Sequence, residues 1–170
     1  GRREIADAVH AQLATMDYAP HFQAGHRASF ELASRIARIL PDGMDRVFFG
    51  CSGSEAVDTA VKIALAYHRA GGEAQRTRFV SRERAYHGVN LAGTSLSGMV
   101  KNRRVFDAVT FPVAHMRHTW LEENRFTRGQ PPTGAELADD LERICRLYGG
   151  DMIAACFVEP IAGSTGTLVP

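Results

Sequence analysis

Val47-Phe48-Phe49-Gly50-Cys51-Ser52-Gly53-Ser54-Glu55-Ala56-Val57-Asp58 is the stretch whose reading decides the fold. An apolar run of β type, Val47 to Phe49, breaks into small residues and then enters a long helical pattern. Ser52 and Glu55 stand in capping-box spacing, which predicts a helix beginning at Ser52. Gly53 and Ser54 then fall in the first turn, where backbone N–H groups have no intrahelical partner. A glycine there lets a ligand approach the backbone, and the free N–H groups with the helix dipole favour an anion, most often a phosphate. No Gly-Lys-Ser/Thr follows, so the loop is not a Walker A sequence, and it lacks Gly-x-Gly-x-x-Gly. Many capped helices of this kind bind nothing, and on this loop alone a plain structural cap weighs slightly more.

Outward from that stretch the chain alternates between helical and extended patterns. Ile5, Val9, Leu13 and Met16 predict a helix over residues 3–16. Residues 18–26 read as a loop carrying exposed aromatics, and Phe30, Ala33, Ile36, Ala37 and Leu40 mark a second helix stopped by Pro41-Asp42-Gly43. Val47–Phe49 reads as a short strand, and the helix from Ser52 runs to Gly71-Gly72. Residues Arg78 to Arg82 contain a short strand around Phe79-Val80 that leads into Tyr86-His87-Gly88 in a loop, and Val109–Val113 reads as a strand in which Pro112 marks an edge or irregular position. Thr133 and Glu136 repeat the capping-box spacing ahead of Leu137, Leu141, Ile144 and Leu147. Met152–Val158 is a continuous apolar run, read as a strand buried on both faces and ending at Glu159-Pro160.

This alternation predicts an α/β fold with an open, mostly parallel sheet flanked by helices, preceded by a helical segment over residues 1–45. Ligands of such sheets sit beyond the carboxyl ends of the strands. Three of those ends carry chemically loaded residues: Ser52-Gly53-Ser54, Tyr86-His87 and Glu159. Together they would offer a phosphate cradle, an aromatic plate beside an imidazole, and an acid. That convergence lifts the anion-site reading above the plain cap, and a planar, phosphorylated cofactor would suit all three.

Composition narrows the class. A chain of 170 residues, 45% hydrophobic and 23% charged, is ordinary for a soluble globular domain. A net charge of +1 gives no reason to propose nucleic acid or an acidic membrane as a partner. Cys51, Cys145 and Cys156 lack Cys-x-x-Cys spacing and read as reduced thiols of a cytoplasmic protein. No apolar run approaches membrane-spanning length. The sequence stops at Leu168-Val169-Pro170, in what reads as a loop leaving a strand, so a truncated piece of a longer chain is expected.

The motifs match a family. Phe48-Phe49 with Ser52 to Ala60, then Tyr86-His87-Gly88-Val89, then Val158-Glu159-Pro160, resemble the class III aminotransferases, pyridoxal-phosphate enzymes of fold type I. The resemblance runs from Tyr18 to Pro170. Arg84 to Leu96 and Val158 to Ser164 look most like the omega-amino acid–pyruvate branch, which includes the β-alanine–pyruvate enzymes. Residues 46–170 would then be the N-terminal half of the cofactor-binding large domain.

The resemblance implies the following roles. Gly53 and Ser54 would bind the cofactor phosphate, and Tyr86 would stack on its ring with His87 beside it. Glu159 would lie near cofactor and substrate. Phe22 matches an aromatic that in relatives reaches the neighbouring subunit's site, so it would serve substrate binding in a homodimer. Cys51 departs from the asparagine common in the family. An amino donor such as β-alanine, and pyruvate as acceptor, would be the substrates. No catalytic residue is expected in this segment, because the family's Schiff-base lysine and ring-nitrogen aspartate would follow Pro170. The only lysines, Lys62 in a helix and Lys101 in a basic loop, read as solvated and not as substitutes.

Other pairings are weaker. Cys51 with His87 could be nucleophile and base, but no orienting third residue accompanies them. His115-x-x-His118 lacks acidic or cysteine companions for a metal. The Lys101–Arg104 patch reads as solvated surface. The rival of another class is a non-catalytic phosphate- or nucleotide-binding α/β module.

Overall fold

The computed structural model describes residues 1–20 and 22–169, in two compact units, Gly1–Phe49 and Gly50–Pro170. In the first unit, α1 (Arg3–Thr15) and α2 (Arg27–Ala37) are joined by the loop that carries Phe22. His26 caps α2 by accepting the Ala28 N–H on Nδ1 at 3.1 Å, and its Nε2 lies 3.2 Å from Gln12 Nε2 of α1. The stripe predicted for α1 is there, but Ile5, Val9 and Leu13 are each more than half exposed within the chain. Leu40, assigned by periodicity to the second helix, lies beyond its end. Val47–Phe49 is not a strand: the segment is extended but pairs with nothing among the described residues, and a strand exists only through its ladder.

The second unit is built around one parallel three-stranded sheet in the order β2-β1-β3. β1 (Arg78–Arg82) is central, with β2 (Val113–Met116) and β3 (Ile153–Cys156) on its flanks. Its alternation defines two cores. Phe79 packs with Val61, Ala92 and Leu96, drawing in Phe111 and Phe157, under α3 (Gly53–Ala70) and α4 (Leu91–Leu96). Val80 faces the other way, onto Met116 and Ile144 beneath α6 (Asp139–Tyr148). A short α5 (Val100–Arg103) lies in the connection from β1 to β2.

Local chemistry sets the boundaries. Ser52 Oγ accepts the Glu55 N–H at 3.2 Å, and Glu55 reaches back to the Cys51 N–H at 2.6 Å, so α3 begins where the capping-box spacing predicts. The same helix docks on β3 by His68, whose Nε2–H donates to Ala154 O at 2.8 Å. The strand expected at Val109–Val113 starts instead at Val113, after a 3-10 turn at Asp107–Val109, because Pro112 has no N–H for the ladder. Among the described residues the Met152–Val158 run is a strand only over Ile153–Cys156, with the Met152 carbonyl and the Phe157 N–H adding single bonds to Thr77 and Val80. As an edge strand it is not buried on both faces: Met152 belongs to a 3-10 turn, and Cys156 and Val158 are exposed. The second capping box does not form. The Thr133 hydroxyl donates to Asn124 Oδ1, Glu136 takes the Gly134 N–H, a 3-10 turn spans Ala135–Ala138, and Leu147 of the helix that follows faces outward.

α6 is fastened to the end of β2 by Asp140, which is 6% exposed and accepts the Arg117 N–H at 2.8 Å and its guanidinium at 3.0 and 3.1 Å. The Arg117 side-chain hydrogen bonds, then its N–H, hold the Asp140 carboxyl below its ordinary value of 3.8. Stability from this group is therefore fully present above that ordinary value and lost as pH falls through the lowered one. Asp140→Ala is expected to lower stability by about 1–3 kcal/mol at neutral pH, and by less at pH 3, in parallel urea titrations.

Candidate functional site

The three loaded loops meet in the second unit, joined by hydrogen bonds. Ser54 Oγ, in the first turn of α3, accepts the Val89 N–H at 3.0 Å. The Tyr86 N–H donates to Glu159 Oε1 at 2.5 Å, and the other Glu159 oxygen takes the Gly163 N–H at 3.1 Å. The loop after β1 is thus tied to the helix N-terminus on one side and to the carboxylate beyond β3 on the other.

Gly88 makes the first of these ties possible. Its φ is +117°, and a Cβ there would lie 2.7 Å from Ser54 Oγ and 2.9 Å from Ser54 Cα. Both its conformation and its closeness to Ser54 require glycine. Because Ser54 Oγ accepts from Val89, its own hydroxyl hydrogen is left to donate elsewhere. Among the described residues the N–H groups of Gly53 and Ser54 carry no hydrogen bond, and a Cβ built on Gly53 would have nothing within 4 Å. Three donors at the positive end of an 18-residue helix, with open space before them, fit a phosphate. Tyr86 is 39% exposed and lines a cavity of about 350 Å³ with Gly88, Val89, Thr94, Ser97 and Phe106. An exposed aromatic face beside an anion cradle suits a planar ring that carries a phosphate.

His87 is placed beneath this surface. It is 9% exposed, its Nε2 is 3.0 Å from Ser81 Oγ of β1, and its ring meets Phe157 edge-on at 6.1 Å. Burial pushes its pKa below the ordinary 6.5; the Glu159 charge opposes that shift and His115 adds to it. His115, opposite Ser81 in the β1–β2 register, directs Nε2 at the Leu96 and Ser97 carbonyls at 3.3 and 3.1 Å. That nitrogen therefore carries the proton. Burial, then the Arg103 charge, lowers the pKa of His115 as well.

The remaining candidates stand apart. Cys51 is exposed, whereas His87 is buried with its Nε2 engaged by Ser81, and no hydrogen bond joins the two as nucleophile and base. Lys62 and Lys101 are exposed on α3 and α5. Phe22 belongs to the first unit and is 85% exposed. The sequence reading missed Ser81, the partner of His87. A lone serine in an apolar strand was its only signal, since the pairing depends on the turn that follows.

The sequence profile of the class-III aminotransferases matches residues 2–170. An omega-aminotransferase of Caulobacter vibrioides is 54% identical over 99% of this chain and 39% of its own length. A β-alanine–pyruvate aminotransferase of Pseudomonas aeruginosa is 49% identical, again over 99% of this chain and 38% of its own length. The chain thus spans about two fifths of the curated relatives it matches. Among solved structures, an amine transaminase from an uncultivated Pseudomonas species, in its PLP-bound form, superposes with a TM-score of 0.90 at 34% identity. It covers all of this chain and 39% of its own. The fold is part of a fold type I domain.

Two outcomes are expected. Gly88→Ala should part Val89 from Ser54 and strip the site of its anion affinity, with binding of inorganic phosphate or a phosphorylated ligand falling at least about tenfold in calorimetry. Stability should be flat above about pH 6.5 and fall as pH drops from there toward the depressed values of His87 and His115, since the folded state resists their protonation. His87→Gln should flatten that slope in thermal scans between pH 7 and 5.

Proposed function

The chain belongs to the class III aminotransferase family, and on that premise we propose that the full-length protein moves an amino group from an ω-amino acid or amine, such as β-alanine, to pyruvate. Pyridoxal phosphate is the proposed cofactor. When bound, it supplies a ring that takes up the electrons of a broken C–H bond. The observation that carries this reading is the hydrogen-bonded convergence of the α3 N-terminus, Tyr86 and Glu159.

In this reading the N–H groups of Gly53 and Ser54, with the Ser54 hydroxyl, hold the phosphate. Tyr86 covers one face of the ring. His87, kept neutral by burial and held by Ser81, supports Tyr86 from below. Glu159 fixes the backbone of Tyr86. Phe22 serves the substrate side of a neighbouring subunit's site in a homodimer. The exposed Lys62 and Lys101 take no covalent part, and the Schiff-base lysine and ring-nitrogen aspartate come from elsewhere in the full-length protein. Cytoplasmic location goes with the free cysteines, and none of the described helices is long and apolar enough to cross a membrane.

Full-length protein incubated with β-alanine or a simple amine and pyruvate should form alanine, measured by chromatography. Turnover of α-amino acids alone would overturn the substrate assignment. Absence of the near-ultraviolet to violet cofactor band after purification with pyridoxal phosphate would favour a phosphate- or nucleotide-binding module. Ser54→Ala removes a charge-assisted hydrogen bond to phosphate together with the Val89 anchor. It should weaken cofactor retention by about 1.5–3 kcal/mol in equilibrium dialysis.

A further inference from the structure

We propose that Thr165 is a positioning residue for Tyr86: its hydroxyl locks the turn at Arg84 in the conformation that presents the aromatic ring to the cofactor. The inference rests on the cofactor reading above and adds a residue to which the family motifs assign no role. Thr165 lies at the tip of a small hairpin closed by the antiparallel bridge Ala162–Leu168, with hydrogen bonds of 3.1 and 3.0 Å. Both bridge residues are buried, so the hairpin has an anchored base. The Gly163 carbonyl accepts from the N–H groups of Gly166 and Thr167, each at 3.2 Å, which tightens the turn around Thr165.

From that tip the Thr165 hydroxyl donates to Arg84 O at 3.1 Å, across 81 residues of sequence. Arg84 has a φ of +63°, a region that residues with a side chain seldom occupy and keep only when their surroundings over-determine it. Three things hold it. Its N–H donates to Gly98 O at 3.0 Å, its guanidinium lies 5.9 Å from the Trp120 ring centre, and its carbonyl is taken by Thr165. On the Gly98 side the backbones touch so closely that a Cβ on Gly98 would meet Arg82 O at 2.0 Å. That side is held chiefly by main chain, with the Ser97 hydroxyl also donating to Ala85 O at 3.4 Å. Away from Gly98 the turn is held by side chains, and two of them, Glu159 and Thr165, come from the strand-end segment after β3.

Rotation about the bonds of Arg84 would swing the chain that follows. Ala85 is 1% exposed and pinned through its carbonyl by Gly98 N at 2.9 Å, so the displacement would appear at Tyr86. Glu159 clamps the Tyr86 N–H and Thr165 clamps the carbonyl two residues earlier, which fixes the backbone from which the ring projects. Among the described residues the Thr165 hydroxyl has no other hydrogen-bond partner, so fixing this turn is the one role its contacts give it.

The test uses the full-length protein. Thr165→Val removes the hydroxyl at nearly constant volume, Thr165→Ala is a second hydroxyl-free variant should Val fold poorly, and Thr165→Ser retains the donor. In cofactor-free protein, amide exchange of the peptide covering residues 84–89 should quicken at least about threefold in Val or Ala and stay at the wild-type rate in Ser. Pyridoxal phosphate affinity by dialysis should fall about three- to tenfold in Val or Ala, the dichroism of the bound cofactor at saturation should shrink, and Ser should restore both. Unchanged exchange in the hydroxyl-free variants, or equal loss in Ser, overturns the proposal. If the wild type takes up no pyridoxal phosphate, the function reading falls and exchange alone decides: faster exchange rescued by Ser supports positioning, and unaltered exchange overturns it.

Discussion

The hydrogen bond from the Val89 N–H to Ser54 Oγ is the constraint on which the rest of the site depends. It joins the first turn of α3 to the loop leaving the central strand, and it exists only because residue 88 has no side chain to hold them apart. Ser52 fixes where the helix starts, which places Ser54 at the turn with free N–H groups. Val57, Val61 and Leu65, on the inward face of the same helix, fix its roll against Phe79 and Leu96. Cap, core and loop therefore agree on one position for the Ser54 hydroxyl, and its hydrogen is directed away from Val89 as a consequence.

Beneath the exposed surface lies a buried polar layer. Ser81 and His115 are register neighbours on β1 and β2, and His87 folds back onto Ser81 from the loop after β1. Polar groups in such a place stabilise only when they are satisfied, and here the hydroxyl, both imidazoles and the Leu96 and Ser97 carbonyls serve one another. Burial holds both rings neutral, so the layer adds no net charge beneath an anion site.

Much of this was legible in the sequence because it is local. The start of α3 follows from Ser52 and Glu55, the place of β1 from the apolar pair Phe79-Val80, and the approach of three loops from the rule about strand carboxyl ends. The errors share a cause as well. Val47–Phe49 has strand composition but no neighbour, and composition cannot supply a ladder. Val109–Val113 was read as a strand with Pro112 at an edge or irregular position; the strand is at an edge, but the missing N–H of Pro112 delays its pairing to the next residue. Met152–Val158 read as a strand buried on both faces because apolar content does not report a strand's place in the sheet. Thr133 found a better partner in Asn124 than in its own helix. Contacts such as Ser81 with His87 and Thr165 with Arg84 leave no trace in spacing, since each depends on a turn whose shape is settled in three dimensions.

One apparent conflict resolves through hydrogen bonding. A glutamate is an awkward neighbour for an anion, and Glu159 sits one loop away from the N–H groups that suit a phosphate. Each of its oxygens accepts a backbone N–H, from Tyr86 and from Gly163, so its charge is spread over two peptide dipoles of the loops it joins. A glutamine would keep one acceptor oxygen and put an NH₂ group where the second N–H now donates, so it could hold Tyr86 or Gly163 but not both. The carboxylate is thus demanded by the two loops it joins, independently of any contact with a ligand. The division follows from the backbone: the helix terminus offers donors outward to an anion, and the strand-end acid consumes donors inward. The two ends of the site carry opposite polarity without opposing one another.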